Sequence, residues 1–115
     1  MELAKYIIVV WQGREQAVTF PQNLQHVDVF RYMQQQDTGI KAVAAGMFLE
    51  DPWWHGGDSV TLDLRSRQED AVSVRQMLSS KDRRLWDLRV LVWEACEVSR
   101  RRTMTPNPPA LAIGM

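Results

Sequence analysis

Residues 5–20 read KYIIVVWQGREQAVTF, and this stretch decides the fold. Lys5 to Trp11 is a run of β-branched and aromatic side chains, the composition of a buried strand. Gln12-Gly13-Arg14-Glu15 then supplies turn chemistry, because glycine enters positive φ without a Cβ clash. Gln16 to Phe20 reads as a returning strand, so the two segments predict a β-hairpin. Pro21 stops the second strand, having no N–H to donate.

Residues 23–35 predict a helix, with Asn23 as its N-cap and Leu24, Val27 and Phe30 on one face. His26 falls inside it as a surface or half-buried residue, and Asp37-Thr38-Gly39 ends it. Residues 40–49 predict a third strand, although their alanines also suit a helix. Gly46 there marks a bulge or a close backbone approach. Residues 50–58 (EDPWWHGGD) form a loop rich in turn formers. Residues 59–64 (SVTLDL) alternate, with Val60, Leu62 and Leu64 on one side, as in a half-buried strand. Ser66 followed by Glu69 matches a capping box. The helix it opens runs from Arg67 to about Leu78, burying Ala71, Val74 and Leu78 with help from Val72 and Met77.

Asp82 is placed to cap the next segment. Residues 83–99 predict a last helix, with Leu85, Leu88, Val92, Ala95 and Cys96 at helical spacing. A strand through Leu88 to Trp93 is the rival, since Leu88, Val90 and Val92 alternate. Arg100, Arg101 and Arg102 then put positive charge at the helix C-terminus, where the macrodipole favours it.

The order is that of an α+β protein: a ββαββα-like antiparallel sheet with helices on one face, plus a C-terminal helix. A weak internal echo runs through it. Val18-Thr19-Phe20 precedes a helix with Arg31 and Met33, and Val60-Thr61-Leu62 precedes one with Arg75 and Met77. The strand offset is 60 − 18 = 42 and the helix offset 75 − 31 = 44. Duplication and shared patterning both account for that. Residues 1–103 form the single domain. Residues 104–115, with three of the five prolines, form an extended tail or linker. Helices on one face leave the other apolar face to be covered, by the last helix or by a second copy in a homodimer.

The chain has 115 residues, 45% hydrophobic and 24% charged, which suits one globular domain and excludes wholesale disorder. Lys plus Arg and Asp plus Glu are each 14, so bulk charge does not drive polyanion binding. The basic groups nevertheless gather late: residues 1–57 carry 4 − 6 = −2 and residues 58–115 carry 10 − 8 = +2. One cysteine, Cys96, excludes an internal disulfide and suits a reducing cytosol. The short N-terminal apolar run does not read as a signal peptide, and no run reaches the ~20 apolar residues of a membrane span.

Candidate chemistry is sparse. No Ser/His/Asp, Cys/His or phosphate-cradling pattern occurs, so no cofactor and no catalytic residue is expected. Asp51, His55 and Asp58 match no metal-ligand spacing, so no metal is expected either. Cys96 lies on an apolar stripe and reads as a packed thiol. Partner-binding candidates are Trp53, Trp54 and His55 in the loop and Trp86 and Trp93 on the last helix, because tryptophan is enriched at binding hot spots. The bland alternative is a loop whose rings fold back on the sheet. The expectation is a small cytosolic accessory or inhibitor protein, of the kind bacteria and phages make, that binds another protein. The alternatives are a nucleic-acid-binding module using Arg65, Arg67, Arg83, Arg84, Arg100, Arg101 and Arg102, which zero net charge disfavours, and a small ligand-binding domain with a pocket beside His55.

Overall fold

The hairpin at residues 4–21 is the centre of the structure. A computed structural model describes residues 3–79 and 86–104, with side chains described over 3–79 and 88–101. Strand β1 (Ala4–Trp11) pairs antiparallel with β2 (Arg14–Pro21), from Ala4 opposite Pro21 to Trp11 opposite Arg14. The turn is only Gln12-Gly13. Both residues have positive φ, 54° and 78°, as the two-residue hairpin that matches strand twist requires. Arg14 and Glu15, expected in the turn, therefore already belong to β2.

Helix α1 (His26–Gln36) and strand β3 (Lys41–Leu49) follow, then the short strands β4 (Trp54–Gly56), β5 (Asp58–Ser59) and β6 (Leu64–Arg65). Helices α2 (Asp70–Ser79) and α3 (Trp86–Met104) complete the chain. The main sheet has the order β2-β1-β3-β4, with antiparallel neighbours, and β5-β6 form a separate two-stranded ribbon. This is an α+β protein with an antiparallel sheet and a C-terminal helix. Residues 83–99 divide: 86–99 are helical, which excludes the rival strand. Arg100, Arg101 and Arg102 lie within α3 rather than after it. Leu85, Asp82 and the tail from residue 105 lie outside the described residues, and so does the side chain of Trp86.

The sheet is covered on both sides. Tyr6, Ile7, Ile8 and Val9 are consecutive and wholly buried, and successive strand residues point to opposite faces. Helix α1 begins over the Lys5 side: Phe20, opposite Lys5, meets the His26 ring edge-on at 5.4 Å. Helix α2 begins over the Tyr6 side, where the Tyr6 hydroxyl donates to Asp70 Oδ2 at 2.6 Å. The helices are thus divided between the two faces, and the bare apolar face expected from a one-sided arrangement does not arise. Ala17, Ala44 and Ala45 are all buried in the sheet.

Several local expectations shift. Helix α1 starts at His26, not near Asn23; Gln25 is its N-cap and makes no side-chain capping bond. Its buried stripe is His26, Val29 and Met33, whereas Val27 and Phe30 are half-buried. His26 is therefore a core residue: its Nε2–H donates to the Gly46 carbonyl at 3.0 Å. The expected strand 59–64 is broken into a ribbon, because Val60 to Asp63 turn and Asp63 takes φ 56°. Val60 is 86% exposed at that turn. The loop 50–58 contains β4, whose Phe48–His55 pairing extends the sheet.

Helix α2 begins three residues later than expected. Asp70 Oδ2 accepts the Arg67 backbone N–H at 2.7 Å, which is the reach-back half of a capping box shifted by one residue. Val74 and Met77 are its buried apolar residues, while Val72 and Leu78 are exposed.

The extra residue in β3 is Val43, since Ile8 faces Ala44 and Val9 faces Ala42. Gly46 marks the close approach instead. A Cβ there would stand 2.6 Å from the Gly56 carbonyl oxygen and 3.1 Å from Tyr6 Cε2. Backbone cannot yield as a flexible side chain does. Gly46→Ala is therefore expected to cost about 1–3 kcal/mol, the usual range for overpacking, as measured by chemical denaturation. An unchanged midpoint would show that β4 moves away freely.

His26 makes stability depend on pH. Burial pushes its pKa below the ordinary 6.5, against a smaller upward pull from the Gly46 carbonyl. Below that ordinary value the unfolded chain takes up a proton that the folded imidazole refuses. The contribution is complete above pH 6.5 and is lost as pH falls toward the folded-state value. Denaturation midpoints measured from pH 8 to pH 5 should fall on acidification, and His26→Gln should flatten that slope.

Candidate functional site

The tryptophan loop folds back on the sheet at one ring and exposes the other. Trp53 stacks on Phe48, with 6.0 Å between ring centroids, and the Arg75 guanidinium lies over its ring, 4.4 Å from the centroid. Both contacts use the ring faces, so Trp53 ties the end of β3 to α2. Trp54 is 46% exposed and spreads over Gly56, where a Cβ would stand 3.0 Å from the ring. His55 packs against Trp53 at 5.8 Å, and its Nε2–H donates to the Arg67 carbonyl at 3.1 Å. The expected ligand pocket beside His55 would have to open between those two contacts.

The arginines proposed for nucleic acid are dispersed among acids. Arg67 joins Glu15 at 2.8 Å and Asp70 at 2.8 Å. Arg100 joins Glu97 at 2.7 Å. Arg65 is exposed on β6 and Arg101 exposed on α3. Arg83 and Arg84 lie outside the described residues, and so does the side chain of Arg102.

Arg67 belongs to a buried network rather than to a surface stripe. Asp70 is fully buried, and its carboxylate accepts from the Tyr6 hydroxyl, the Arg67 backbone N–H and Arg67 Nε. Burial first, then the hydrogen bond to Asp70, pushes the Tyr6 phenol far above its ordinary value. Tyr6 is thus a permanent donor and not an acid at working pH.

A second cluster lies beneath the β5–β6 ribbon, in a cleft of about 360 Å³ lined by Lys5, His26, Asp58 and Thr61. Its two cationic candidates are already engaged. Lys5 Nζ donates to the Leu24 carbonyl at 2.7 Å and His26 to Gly46. Among the described residues, no three His, Cys, Asp or Glu side chains are grouped to hold a metal ion.

A further surface is a groove of about 440 Å³ with a mainly apolar lining, where the edge strand β2 meets α2 and α3. Ala17, Thr19 and Pro21 line its β2 side, and Met77 and Leu78 its α2 side. The α3 wall is Val92, Trp93 and Cys96, with Arg89 and Arg100 at either end. These five positions fall within a ~100° arc of one helix, because 3.6 residues make a turn. Trp93 is 65% exposed, and Val90, one turn earlier, is 48% exposed. Arg89 bridges the two helices by donating to the Met77 carbonyl at 2.8 Å. Cys96 is buried, and desolvation pushes its thiol pKa up, so it lines the groove as a small apolar group.

Of the sequence candidates whose side chains are described, Trp93 and Arg100 line this groove. Trp54 and His55 lie on β4, across the sheet from β2. The groove residues Thr19, Pro21, Met77, Leu78, Arg89 and Val92 were not legible as site residues. One signal was present: Arg89, Val92, Trp93, Cys96 and Arg100 recur at spacings of three, one, three and four. No family model, no curated protein and no solved structure matches this chain.

Tyr6→Phe removes the donor that lies between β1 and α2. Hydrogen bonds to buried charged groups contribute about 1.5–3 kcal/mol, so the variant should lose that much stability in urea titration. A loss below ~0.5 kcal/mol would mean that the Arg67 contacts alone satisfy the carboxylate.

Proposed function

We propose that this protein is a protein–protein interaction module whose contact surface is the groove between β2, α2 and α3. The observation that carries this reading is the 65% exposure of Trp93 beside an open apolar trough. An indole offers a large rigid face and one N–H donor, and leaving it in water is unfavourable unless a partner covers it. Met77, Leu78 and Val92 around it extend the apolar area that a partner would bury. No helix among the described residues is long and apolar enough to cross a membrane. The lone cysteine and the lack of an enzyme motif fit a cytosolic accessory or inhibitor role.

A second copy of the chain would make the same surface a homodimer interface, and a different protein would make it a regulatory one. The nucleic-acid reading is weaker, because Arg67 and Arg100 each carry a carboxylate partner.

Trp93→Ala tests the proposal. The ring makes little of the core, so unfolding free energy should stay within ~0.5 kcal/mol of the parent. Proteins from the native host retained by the immobilised parent chain should be lost from the variant. Equal retention by both chains would remove the groove as the contact surface.

A further inference from the structure

We propose that the chain regulates its own groove: the apolar segment 110–113 (ALAI) folds back over Trp93 and gives way when a partner protein binds. This rests on the reading of the groove as a protein-binding surface and adds what competes for it. The segment lies outside the described residues, so its chemistry is read from the sequence. Residues 105–115 (TPNPPALAIGM) hold no Asp, Glu, Lys or Arg. They fall into two parts. Residues 105–109 carry Pro106, Pro108 and Pro109, and residues 110–113 are wholly apolar. Proline has no N–H to donate and clashes with the preceding turn, so the sequence forbids α3 from continuing straight through 106–109. The chain must change direction just where the helix ends at Met104.

Lengths then match. Met104 is eleven residues beyond Trp93 on α3, about 16 Å along the axis at 1.5 Å per residue. A proline-rich linker spans about 3.1 Å per residue, so the five residues 105–109 cover about 15 Å. One reversal at the end of α3 therefore carries 110–113 back to the level of Trp93. The trough there offers apolar surface from Ala17, Met77, Leu78, Val92 and Cys96. Leu111 and Ile113 supply apolar side chains of the kind it would bury. The contact asks nothing of the arginines: Arg89 keeps its bond to the Met77 carbonyl and Arg100 its ion pair with Glu97.

Tethering makes a small contact sufficient. A short linker holds its segment at a local concentration on the order of millimolar, so a contact with a dissociation constant in that range already fills the groove about half the time. A partner then meets only the open fraction, and its apparent affinity falls by that fraction.

Leu111→Asp combined with Ile113→Asp in the full chain tests the proposal. The Trp93 indole N–H resonance, assigned by its loss in Trp93→Phe, should shift, and its broadening by a soluble nitroxide should rise at least twofold. Asn107→Asp, which puts the charge in the linker instead, should leave that resonance in place. The Trp11 resonance, whose N–H is held by Asp37, should stay put throughout and so report an intact fold. The doubly substituted chain should also retain more of the host proteins whose retention needs Trp93. A Trp93 resonance that the double substitution leaves unmoved overturns the inference, and Trp93-dependent retention in the same experiment leaves the binding-module reading standing. An unmoved resonance together with retention that ignores Trp93 overturns both. Nitroxide protection of Trp93 that grows with protein concentration, alongside a particle mass of twice the chain, assigns the groove to a second copy and overturns the inference.

Discussion

The Tyr6–Asp70 hydrogen bond joins two parts of the chain that nothing local connects. Tyr6 stands in the central strand and Asp70 opens α2, sixty-four residues later. A buried carboxylate is tolerated only when its lone pairs are occupied, and three donors from Tyr6 and Arg67 occupy them. That requirement fixes where α2 begins and over which face of the sheet it lies. It also explains Gly46. The Tyr6 ring needs the space that a side chain opposite it would take, and β4 must approach from the other side.

From this anchor the groove follows by geometry. Helix α1 occupies the Lys5 face and α2 the Tyr6 face, while α3 packs on α1, where Tyr32 donates to Glu94 at 3.1 Å. The edge strand β2 is therefore approached from both faces by helices that belong to different layers. Two helices anchored on opposite sides of a sheet do not meet snugly beyond its edge, and Arg89 reaching Met77 is the tie between them. The trough over Thr19 and Pro21 is what remains. It is a product of the layering and not of a flexible loop.

How much of this was legible in the sequence depends on the range of the interaction. The hairpin was readable because β-branched runs around Gln12-Gly13 carry their own turn chemistry. The strand at 40–49 competed with the helix that its alanines also suit, whereas the helix through Leu88 and Cys96 was readable from periodicity. The start of α1 was not, because Asn23 is a good cap in isolation while tertiary packing draws His26, not Leu24, into the first turn. Alternation in SVTLDL suggested a continuous strand, but alternation does not report the positive φ of Asp63. Glu69 satisfied the capping-box pattern, yet Asp70 performs the reach-back, since only Asp70 also meets Tyr6. The division of helices between faces had no local signature at all.

The placement of tryptophans separates fold from function on physical grounds. Trp11 is buried and donates from Nε1 to Asp37 Oδ2 at 2.9 Å, which, with the Gly39 N–H, holds that carboxyl below its ordinary range. Trp53 stacks on Phe48 and carries the Arg75 guanidinium over its ring. Each of these indoles has folding partners that account for its presence. Trp93 is different: its ring lies mostly in water on a helix whose buried stripe, Leu88, Ala95 and Ser99, points elsewhere. A residue that costs hydration and adds little to the core contributes to stability less than an ordinary polar side chain would. Its placement at the rim of an apolar trough is the observation on which the proposed contact surface rests.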